Sequence, residues 1–405
     1  MSENRRHTLA IDGGTPVRRT PLPKWPAYGP AVRKAVCKVI DSGAINYWTG
    51  EEGSQFEKEF AASVGAAYAV ALANGTVALE TALHAARIGA GDEVIVPAKT
   101  FVATGSSVLM RGARPVFADV DIDSQTVTAE SIQRCLTKRT KAIIVVHLAG
   151  WPCDMKPILE LARRARIKVI EDCAQAQGAL YNGRNTGSLG DIAAFSFCQD
   201  KIMSTGGEGG MVTTRSEELW RRAWSFKDHG KSYAIATRRN GTQDYTWPHE
   251  QLGSNYRMTE MQAAIGRCLL PTIEADVANR NRNARVLDQC LAECGALRVV
   301  IPPPNVRDSY YKYYCFLVKP ALRRGWNRKR ILAAINAEGI PCFSGSCSEI
   351  YLERVFERSG NARRLDNARE LGETSLMFQV HPTLRTGDME DTGRAVRKVM
   401  AAAMR

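Results

Sequence analysis

Between residue 70 and residue 213 the chain alternates short apolar runs with longer stretches in which apolar residues recur at helical spacing. The apolar runs predict strands at Glu93–Val96, Pro115–Val120, Ala142–Leu148, Lys168–Asp172, Ala193–Phe197 and Gly210–Thr213. The intervening stretches predict helices at Asn74–Ile88, Phe101–Arg111, Ala129–Leu136 and Pro157–Arg166. Strands and helices that alternate in this way form a mostly parallel sheet with helices on both faces. We therefore expect an α/β fold whose ligands lie beyond the carboxyl ends of the strands.

The pattern changes near Pro271, where a long polar helix begins. Beyond it, helical and strand-like stretches mix, which indicates a smaller α+β domain that the long helix connects to the first. Residues 1–30 are rich in Arg, Gly and Pro and indicate an irregular arm. We predict an N-terminal arm over residues 1–30, a large domain over 31–270 and a smaller C-terminal domain over 271–405. The elements predicted outside the alternating region are helices at Pro30–Ser42, Ser54–Val64, Thr272–Cys294, Arg328–Glu338 and Met389–Met404, and a strand at Tyr313–Val318.

Charge and composition argue against several classes of protein. The chain has 55 basic and 42 acidic residues, a net charge of +13, but the basic residues are dispersed and no nucleic-acid-binding motif is present. We expect no nucleic-acid partner, although an anionic substrate fits this charge. No apolar run reaches the roughly 18 residues that span a bilayer, and the first residues lack a signal-peptide core, so we expect no membrane partner and a cytoplasmic location. The 11 cysteines are scattered, odd in number and without a CxxC pair, which indicates reduced thiols and no metal site.

Four features with possible chemistry lie beside the predicted strands. Asp172 closes the strand KVIED, and Lys201 follows the strand that contains AAFSF. Asn74-Gly75-Thr76 opens a helix, where unpaired amides and a hydroxyl can hold a phosphate, and Phe101 offers an aromatic face. Each is ordinary alone, as a cap, a surface lysine or a core ring. Together they supply what pyridoxal 5′-phosphate (PLP) needs: an amine for its aldehyde, a carboxylate for its ring nitrogen, amides for its phosphate and a ring to stack on it.

An ordered series of motifs supports this interpretation and covers nearly the whole chain. The motifs are, in order, AIDGGTPVR, YWTGEE, NGTVALETAL, GDEVIVPAKTFVAT, PVFADVD, VHLAG, VIEDCAQAQGA, IAAFSFCQDKIMSTGGEGG and GSNYRMTEMQAAIG. With them the chain resembles the DegT-type sugar aminotransferases of the aspartate aminotransferase superfamily. The resemblance implies the type I fold of PLP enzymes, with a mostly parallel seven-stranded sheet in the large domain and a smaller α+β C-terminal domain.

The resemblance also implies roles for individual residues. The cofactor contacts that it implies are Lys201 as the Schiff-base lysine, Asp172 at the ring nitrogen, Gln175 near the ring and its 3′-oxygen, Phe101 stacked on the ring, and Gly75, Thr76 and Ser196 at the phosphate. Asn255 matches an asparagine that reaches the phosphate from a second subunit, which implies a homodimer with shared active sites. Arg257, and Tyr351 at the end of the segment Gly339–Tyr351, are expected near the substrate.

The implied activity is ping-pong transfer of an amino group from glutamate or glutamine to a ketone. Most of the family aminates nucleotide-linked keto-sugars, so we expect such an acceptor and a role in amino-sugar biosynthesis. The Tyr47–Gly50 segment and the GGTPVR arm are similar to members that act on keto-cyclitols or amino-aromatic precursors in antibiotic biosynthesis, and this alternative stays open. Two departures from the family pattern bear on the acceptor: Ile202 stands where many relatives have Asn, and Gly339–Tyr351 contains no histidine.

Three other functions compete with this one. A PLP-dependent sugar dehydratase would carry a histidine at the position of Lys201. A non-catalytic PLP-binding regulator would need a DNA-binding module, for which residues 1–30 are too short and too rich in proline. A nicotinamide-dependent dehydrogenase would show GxGxxG after a strand, and this chain does not. The sequence thus favours the aminotransferase, and it leaves open the acceptor, the donor, the stereochemistry and any assembly beyond a dimer.

Overall fold

A seven-stranded sheet forms the centre of the computed structural model, which describes residues 8–237, 249–359 and 363–405. The strands of this part of the chain are β1 (Tyr68–Leu72), β2 (Glu93–Pro97), β3 (Arg114–Ala118), β4 (Thr140–Val146), β5 (Lys168–Asp172), β6 (Leu180–Tyr181), β7 (Arg184–Asn185), β8 (Ile192–Ser196) and β9 (Gly210–Thr214). The central sheet has the order β1-β9-β8-β5-β4-β2-β3. Within it β9 runs antiparallel to both neighbours, and all other pairs are parallel. The predicted α/β fold with a mostly parallel seven-stranded sheet is confirmed.

Alternate residues of these strands face opposite layers of helices. In β8, Ala193 and Phe195 pack with Phe60 on one face, whereas Ile192 and Ala194 belong to the larger core on the other face. Because both faces are covered, the strands are apolar throughout instead of alternating with polar residues. The helices around this sheet are α1 (Pro30–Ser42), α2 (Glu52–Val64), α3 (Gly75–Ala85), α4 (Val102–Met110), α5 (Ala129–Gln133), α6 (Met155–Ala165), α7 (Glu217–Lys227), α8 (Tyr233–Thr237) and α9 (Glu260–Leu269).

The C-terminal residues form a second core of their own. Leu287, Leu376 and Val396 lie in one buried apolar cluster there, which Leu9 of the N-terminal arm joins. The elements of this part are α10 (Ile273–Leu291), β10 (Leu297–Val299), β11 (Val306–Arg307), β12 (Tyr313–Leu317), α11 (Arg328–Ala337), α12 (Asp366–Thr374), β13 (Ser375–Phe378) and α13 (Thr386–Ala403). Strands β10, β12 and β13 form an antiparallel sheet, and β11 pairs with β6 of the larger part. None of the described helices combines the length and apolar character needed to cross a membrane.

Several elements differ from the sequence prediction. The spacing of apolar residues does not predict β1, β13, α7 or α9. Strand β1 (YAVAL) is rich in alanine, which has low strand propensity, and antiparallel pairing with β9 holds it as a strand. Helix α5 ends at Gln133, three residues before the predicted end. It ends there because Thr137 and Arg139 turn to the buried carboxylate of Glu93, to which they donate hydrogen bonds of 2.5 and 2.6 Å.

Lys99 joins the two parts of the chain from a fully buried position. Its amine donates to the hydroxyls of Ser348 at 2.9 Å and Ser375 at 3.1 Å, and no carboxylate of the described residues lies within 4.0 Å of it. Burial lowers the pKa of Lys99 to about 7. A lysine of the unfolded chain titrates near pH 10.4, so between these two pKa values the unfolded chain binds the extra proton. Stability therefore rises with pH across that window.

Replacing this lysine should change the pH dependence of stability in that direction. From pH 7 to about pH 9 we expect the unfolding free energy of the wild type to gain up to about 1.4 kcal/mol per pH unit relative to Lys99→Met, since the variant has no amine to titrate. Denaturant unfolding at the two pH values measures the difference. The matched control is Lys141→Met, at an exposed position of β4. If the difference in unfolding free energy between the wild type and Lys99→Met is the same at both pH values, Lys99 stays charged in the folded protein.

Candidate active site

A cavity of about 870 Å³ opens beyond the carboxyl ends of β2, β4, β5 and β8, where a parallel sheet places ligands. Its lining includes both strand-end residues and residues from the C-terminal part of the chain. The cavity brings together seven of the residues predicted from the sequence: Gly75, Thr76, Phe101, Asp172, Gln175, Ser196 and Lys201. These positions span more than a hundred residues of sequence, so it is the sheet topology that assembles them.

One end of the cavity is built to receive an anion. Helix α3 begins there, and the side chain of its N-cap Asn74 accepts a hydrogen bond from the Val77 amide at 3.0 Å. Gly75 and Thr76 of the first turn line the cavity, and the amides of a first helical turn have no partner within the helix. The helix dipole adds a partial positive charge at this end. The Ser196 hydroxyl stands beside it, so the arrangement suits a phosphate group.

The close packing of Gly75 against Ser196 gives a direct test of this anion site. A Cβ at Gly75 would lie 2.5 Å from the Ser196 Cβ, so Gly75→Ala must push Ser196 or the start of α3 out of place. Overpacking of this kind costs about 1–3 kcal/mol, and we expect PLP affinity to fall by about 10- to 100-fold. Titration of the visible absorbance of bound PLP measures it. Gly89→Ala is the matched control because a Cβ at Gly89 meets nothing within 4 Å; equal affinities in both variants would contradict the assignment.

Asp172 lies in the floor of the cavity with 5% of its surface exposed. Its Oδ1 accepts a hydrogen bond from the Ala174 amide at 3.1 Å, and its Oδ2 accepts one from Thr104 Oγ1 at 2.9 Å. Burial raises the pKa of Asp172 above its ordinary value, although these hydrogen bonds and the charge of Lys201 oppose the rise. A buried carboxylate with this environment is best compensated by a cation in the cavity. The protonated ring nitrogen of PLP would be such a cation.

A second buried network fixes the backbone on either side of Asp172. His147 Nε2 lies 3.0 Å from Glu171 Oε2, and His147 Nδ1 accepts a hydrogen bond from the Cys153 amide at 3.0 Å. Glu171 also accepts hydrogen bonds from three backbone amides, those of Gly187, Leu189 and Gly190. With Cys173 nearby, these side chains could in principle hold a metal ion. The hydrogen bonds already occupy the imidazole and the carboxylate, so the cluster acts as a structural anchor for β4 and β5.

Lys201 reaches the cavity from the loop after β8. Its amine lies 3.5 Å from the Tyr311 hydroxyl and 3.8 Å from Asp200 Oδ1. Burial acts to raise the pKa of Asp200, but Lys201, the Tyr311 hydroxyl and Lys312 outweigh it and hold the pKa below its ordinary value. Ile202, where many relatives have Asn, is 1% exposed and packs against Tyr311 and Val277. Ile202 therefore helps to position Lys201 and does not face the cavity.

The remaining predicted residues of the cavity present a ring face and an amide. Phe101 is 65% exposed, which is unusual for a phenylalanine and leaves its ring free to cover a planar ligand. Gln175 Oε1 accepts a hydrogen bond from the Ala149 amide at 2.7 Å, which fixes the orientation of the side-chain amide. Its amide nitrogen has no acceptor among the described residues and can donate to a ligand. Both features fit the ring of PLP and its 3′-oxygen.

Three predicted site residues lie outside this cavity. Tyr351 is 3% exposed in the main core, and its hydroxyl is held by Glu349 at 2.5 Å and by the Leu365 amide at 2.9 Å. Its predicted contact with the substrate does not fit this position, because packing turns the ring away from the cavity; Phe343, Gly345 and Ser346 of the same segment line the cavity in its place.

Arg257 and Asn255 lie together beside Asp228, on the segment that pairs with the end of β1. Arg257 Nη1 donates to Asp228 Oδ1 at 2.7 Å, and Asn255 is exposed beside Asp228, with which it forms a backbone bridge. Neither residue lines the cavity of its own chain.

The structure also adds functional candidates that the sequence does not indicate. Asp200, Tyr311 and Lys312 surround the amine of Lys201. From the N-terminal arm, Trp25 Nε1 donates to the backbone oxygen of Lys201 at 2.8 Å, and Tyr28 Oη accepts a hydrogen bond from the Gly206 amide at 3.2 Å. These contacts join segments that are far apart in sequence, so no local pattern predicts them. The arm thus braces the loop that carries Lys201.

Comparisons with known proteins agree with this site. Residues 27–397 match the DegT/DnrJ/EryC1/StrS aminotransferase family. The chain is 44% identical to the UDP-N-acetyl-3-dehydro-alpha-D-glucosamine 3-aminotransferase of Acidithiobacillus ferrooxidans, over 90% of this chain and 92% of that protein. It is 34% identical to the L-glutamine:2-deoxy-scyllo-inosose aminotransferase of Streptoalloteichus tenebrarius, over 97% of each.

The same result follows from a solved structure. The crystal structure of an aminotransferase from Psychrobacter cryohalolentis is similar with a TM-score of 0.92 and 49% sequence identity, over 94% of this chain and 99% of that one. Enzymes of the matched family depend on PLP, the cofactor to which the lysine, the carboxylate and the helix N-terminus of the cavity correspond. The resemblance seen in the sequence is thereby confirmed, and the chain belongs to the DegT/DnrJ/EryC1/StrS aminotransferase family.

Proposed function

We propose that the protein transfers an amino group from glutamate or glutamine to the ketone of a nucleotide-linked sugar, as a step in amino-sugar biosynthesis. The observation that carries the proposal is the meeting of Lys201, Asp172 and the N-terminus of α3 in one cavity. Its volume of about 870 Å³ lies in the range of roughly 300–1,000 Å³ typical of ligand pockets. The cavity thus has room for a sugar beside the cofactor.

The residues that line the cofactor end of the cavity have distinct roles in this reaction. When bound, PLP supplies an electrophilic carbon for the donor amine and a ring that delocalises the electrons left when a proton departs. The first turn of α3 and the Ser196 hydroxyl would hold its phosphate, Asp172 its ring nitrogen and Phe101 one face of its ring. The Lys201 amine would accept the proton from the α-carbon of the donor. The Tyr311 hydroxyl, 3.5 Å from that amine, orients it.

The acceptor would lie against the wall that the C-terminal part supplies. Phe343, Gly345 and Ser346 form that wall opposite the strand ends. The net charge of +13 favours an anionic acceptor such as a nucleotide-linked sugar. The relative named for a UDP-linked dehydro-sugar shares 44% of its residues with this chain, which supports the same choice.

A keto-cyclitol is the second candidate acceptor. The relative named for 2-deoxy-scyllo-inosose matches over 97% of the chain, although at the lower identity of 34%. The Tyr47–Gly50 segment, which is similar to that of cyclitol-type members, lies outside the cavity, with Trp48 Nε1 donating to Asp228 Oδ2 at 2.7 Å. The motif would therefore contribute to an acceptor site from a second subunit.

A panel of acceptors decides between these candidates. The protein is loaded with PLP, treated with L-glutamate until the visible absorption of the cofactor is lost, freed of donor and offered one ketone at a time. We expect the visible band to return with a UDP- or GDP-linked keto-sugar. Return of the band only with a keto-cyclitol would favour the second candidate. A protein that consumes glutamate but responds to no ketone in either group would contradict both.

We also propose a homodimer in which each active site uses Asn255 of the second copy. Asn255 is exposed and lies outside the cavity of its own chain. Exposed apolar side chains accompany it: Trp48 is hydrogen-bonded to the adjacent Asp228, and Leu252, three residues earlier, is 91% exposed. An apolar face of this kind beside a site residue suits a second copy of the chain.

Mixed dimers test the shared site. Dimers of Lys201→Ala and dimers of Asn255→Ala should each have low activity, because every active site lacks one of the two residues. In a mixed dimer one of the two sites has both, so mixing equal amounts should restore activity to about a quarter of the wild type, since half of the dimers are mixed. Mixtures no more active than the separate variants would contradict the shared site.

We place the protein in the cytoplasm. All 11 cysteines are free thiols, and four of them are buried among apolar side chains, as is usual in a reducing compartment.

A further inference from the structure

The N-terminal arm closes a second cavity beside the first. Residues 18–25 of the arm form one wall, and the cavity has a volume of about 540 Å³. Asp200, Tyr311, Lys312 and Gln379 line both cavities, which therefore adjoin at these residues. We call this second cavity the arm compartment. Two of the shared residues, Tyr311 and Asp200, lie 3.5 and 3.8 Å from the amine of Lys201.

Arg280 of α10 is a buried cation at the arm compartment that forms no direct ion pair with a described carboxylate, and Asp276 and Asp200 act on its charge only from farther away. It is 1% exposed, and its Nη1 donates to the backbone oxygens of Tyr310 and Tyr311 at 3.2 Å each. Its Nε and Nη2 have no acceptor, and none of the described carboxylates lies within 4.0 Å of its guanidinium. The guanidinium lies 5.2 Å from the centre of the Trp25 ring, which covers it. A buried guanidinium with two unused donors is costly unless a ligand supplies the anion.

The other charges of the arm compartment have the same sign. Arg19 and Lys24 line it and pair with no carboxylate of the described residues, whereas Arg18 is neutralised by Asp388 and Asp391. The carboxylate of the lining is Asp200, shared by Lys201 and Lys312 at 3.8 and 3.7 Å.

The pKa of His381 is affected by this concentration of positive charge. Burial, and then the positive charges of Arg280 and Lys312, lower the pKa of His381 to about 3, so at neutral pH the imidazole is neutral and adds no charge of its own. Its ring stacks on Trp25 with the centroids 5.9 Å apart. The compartment therefore presents cations and a neutral aromatic wall, a combination that suits an organic anion.

The position of these cations selects between the anionic groups of the two substrates. The Lys312 amine lies 4.6 Å from the centre of the Tyr311 ring, and the Lys201 amine lies 4.8 Å from the same point. Lys312 therefore shares the Tyr311 ring with the amine that would receive the donor's proton, and Arg280 is hydrogen-bonded to the backbone oxygen of the same Tyr311. In an amino acid a carboxylate is only a few bonds from the amino nitrogen. In a nucleotide-linked sugar the phosphates are separated from a reacting ketone by the sugar ring.

We propose that the arm compartment is the subsite for a carboxylate of the amino donor, with Arg280 as its main ligand and Lys312, Arg19 and Lys24 as supporting charges. The inference rests on the proposed aminotransferase function and assigns one part of its substrate. It also gives the arm a role, since Trp25 and residues 18–24 complete the wall of the compartment.

Binding of unreactive probes to the PLP-loaded protein tests the proposal. Glutarate carries the two carboxylates of glutamate without its amine, and UDP carries a nucleoside diphosphate; calorimetry gives the affinity of each. Arg280→Met should lower the affinity for glutarate by about 10- to 100-fold, because a hydrogen-bonded charge is lost. The affinity for UDP should stay unchanged. Arg282→Met is the matched control, an exposed arginine on the same helix. Unchanged glutarate binding in Arg280→Met would overturn the proposal, and loss of UDP binding alone would assign the compartment to the acceptor's phosphates.

A second variant keeps the test valid if Arg280→Met folds poorly. The double variant Arg19→Ala/Lys24→Ala changes two exposed side chains and should lower the affinity for glutarate several-fold. The difference in affinity from the wild type should become smaller as the salt concentration is raised, because salt screens exposed charges. In the donor half-reaction both variants should raise KM for glutamate more than they lower the limiting rate. Unaltered glutarate affinity in the double variant would contradict the proposed charges. Because glutarate binding needs no turnover, and PLP loading is read separately from absorbance, failure of this subsite is distinguishable from failure of the aminotransferase function.

Discussion

Lys201→Ala should abolish transamination and remove the visible absorption band of the bound cofactor. Lys201 and Lys312 are the lysines that line the cavity in the described part of the chain, and of the two it is Lys201 whose charge acts on the buried carboxylate of Asp172. Loss of a general acid–base group lowers rates by about 10²–10⁴-fold, and loss of the covalent attachment adds to this. Rates of 2-oxoglutarate formation from L-glutamate measure the effect on transamination, and the absorption spectrum of each PLP-loaded protein measures the effect on the band.

A matched lysine separates this effect from a general loss of charge. Lys141→Ala removes an amine from an exposed position of β4 and should leave both spectrum and rate unchanged. Lys312→Ala should keep the visible band, because its amine lies 3.7 Å from Asp200 Oδ2 and its removal leaves Lys201 in place. A Lys201→Ala protein with the spectrum and turnover of the wild type would refute the assignment of the reactive amine.

Asp172→Asn should slow the donor half-reaction while the cofactor still binds. The phosphate site at α3 is independent of Asp172, so affinity for PLP should fall only modestly. The amide cannot hold the ring nitrogen in its protonated form, and loss of a charge-assisted hydrogen bond costs about 1.5–3 kcal/mol. A loss of this size corresponds to a fall of about 10- to 150-fold in kcat/KM for the donor.

The control for this substitution is Glu160→Gln, which makes the same change of charge at an exposed position of α6. It should be indistinguishable from the wild type. The measurement is the single-turnover rate with L-glutamate, together with the absorption spectrum of each loaded protein. A wild-type rate in Asp172→Asn would show that the buried carboxylate does not serve the ring nitrogen.

The central sheet and the cofactor end of the site could be predicted because their signals are local. Strands covered on both faces read as continuous apolar runs, and the rule that ligands lie beyond strand ends picks out Asp172 and Lys201. The anion site at Gly75 and Thr76 follows from the start of one amphipathic helix. Each of these inferences needs only a short stretch of sequence.

The wall on the substrate side could not be predicted because docking of distant segments creates it. The contact of Trp25 with the Lys201 backbone and the position of Tyr311 beside its amine join three parts of the chain. The segment that contains Tyr351 does reach the cavity, as the sequence predicts. Tyr351 itself does not line the cavity, because it packs in the core against Phe117 and is hydrogen-bonded to Glu349. Such outcomes depend on tertiary packing, which overrides local pattern.

Identification of the lysine that carries the cofactor tests the central claim most directly. The PLP-loaded protein is reduced with borohydride, which fixes the cofactor to the amine that holds it, and the labelled peptide is then sequenced by mass spectrometry. We predict a single labelled residue, Lys201, in the peptide that contains SFCQDK. Label on Lys312 or Lys99, or stoichiometric binding of PLP without any labelled lysine, would contradict the proposed active site.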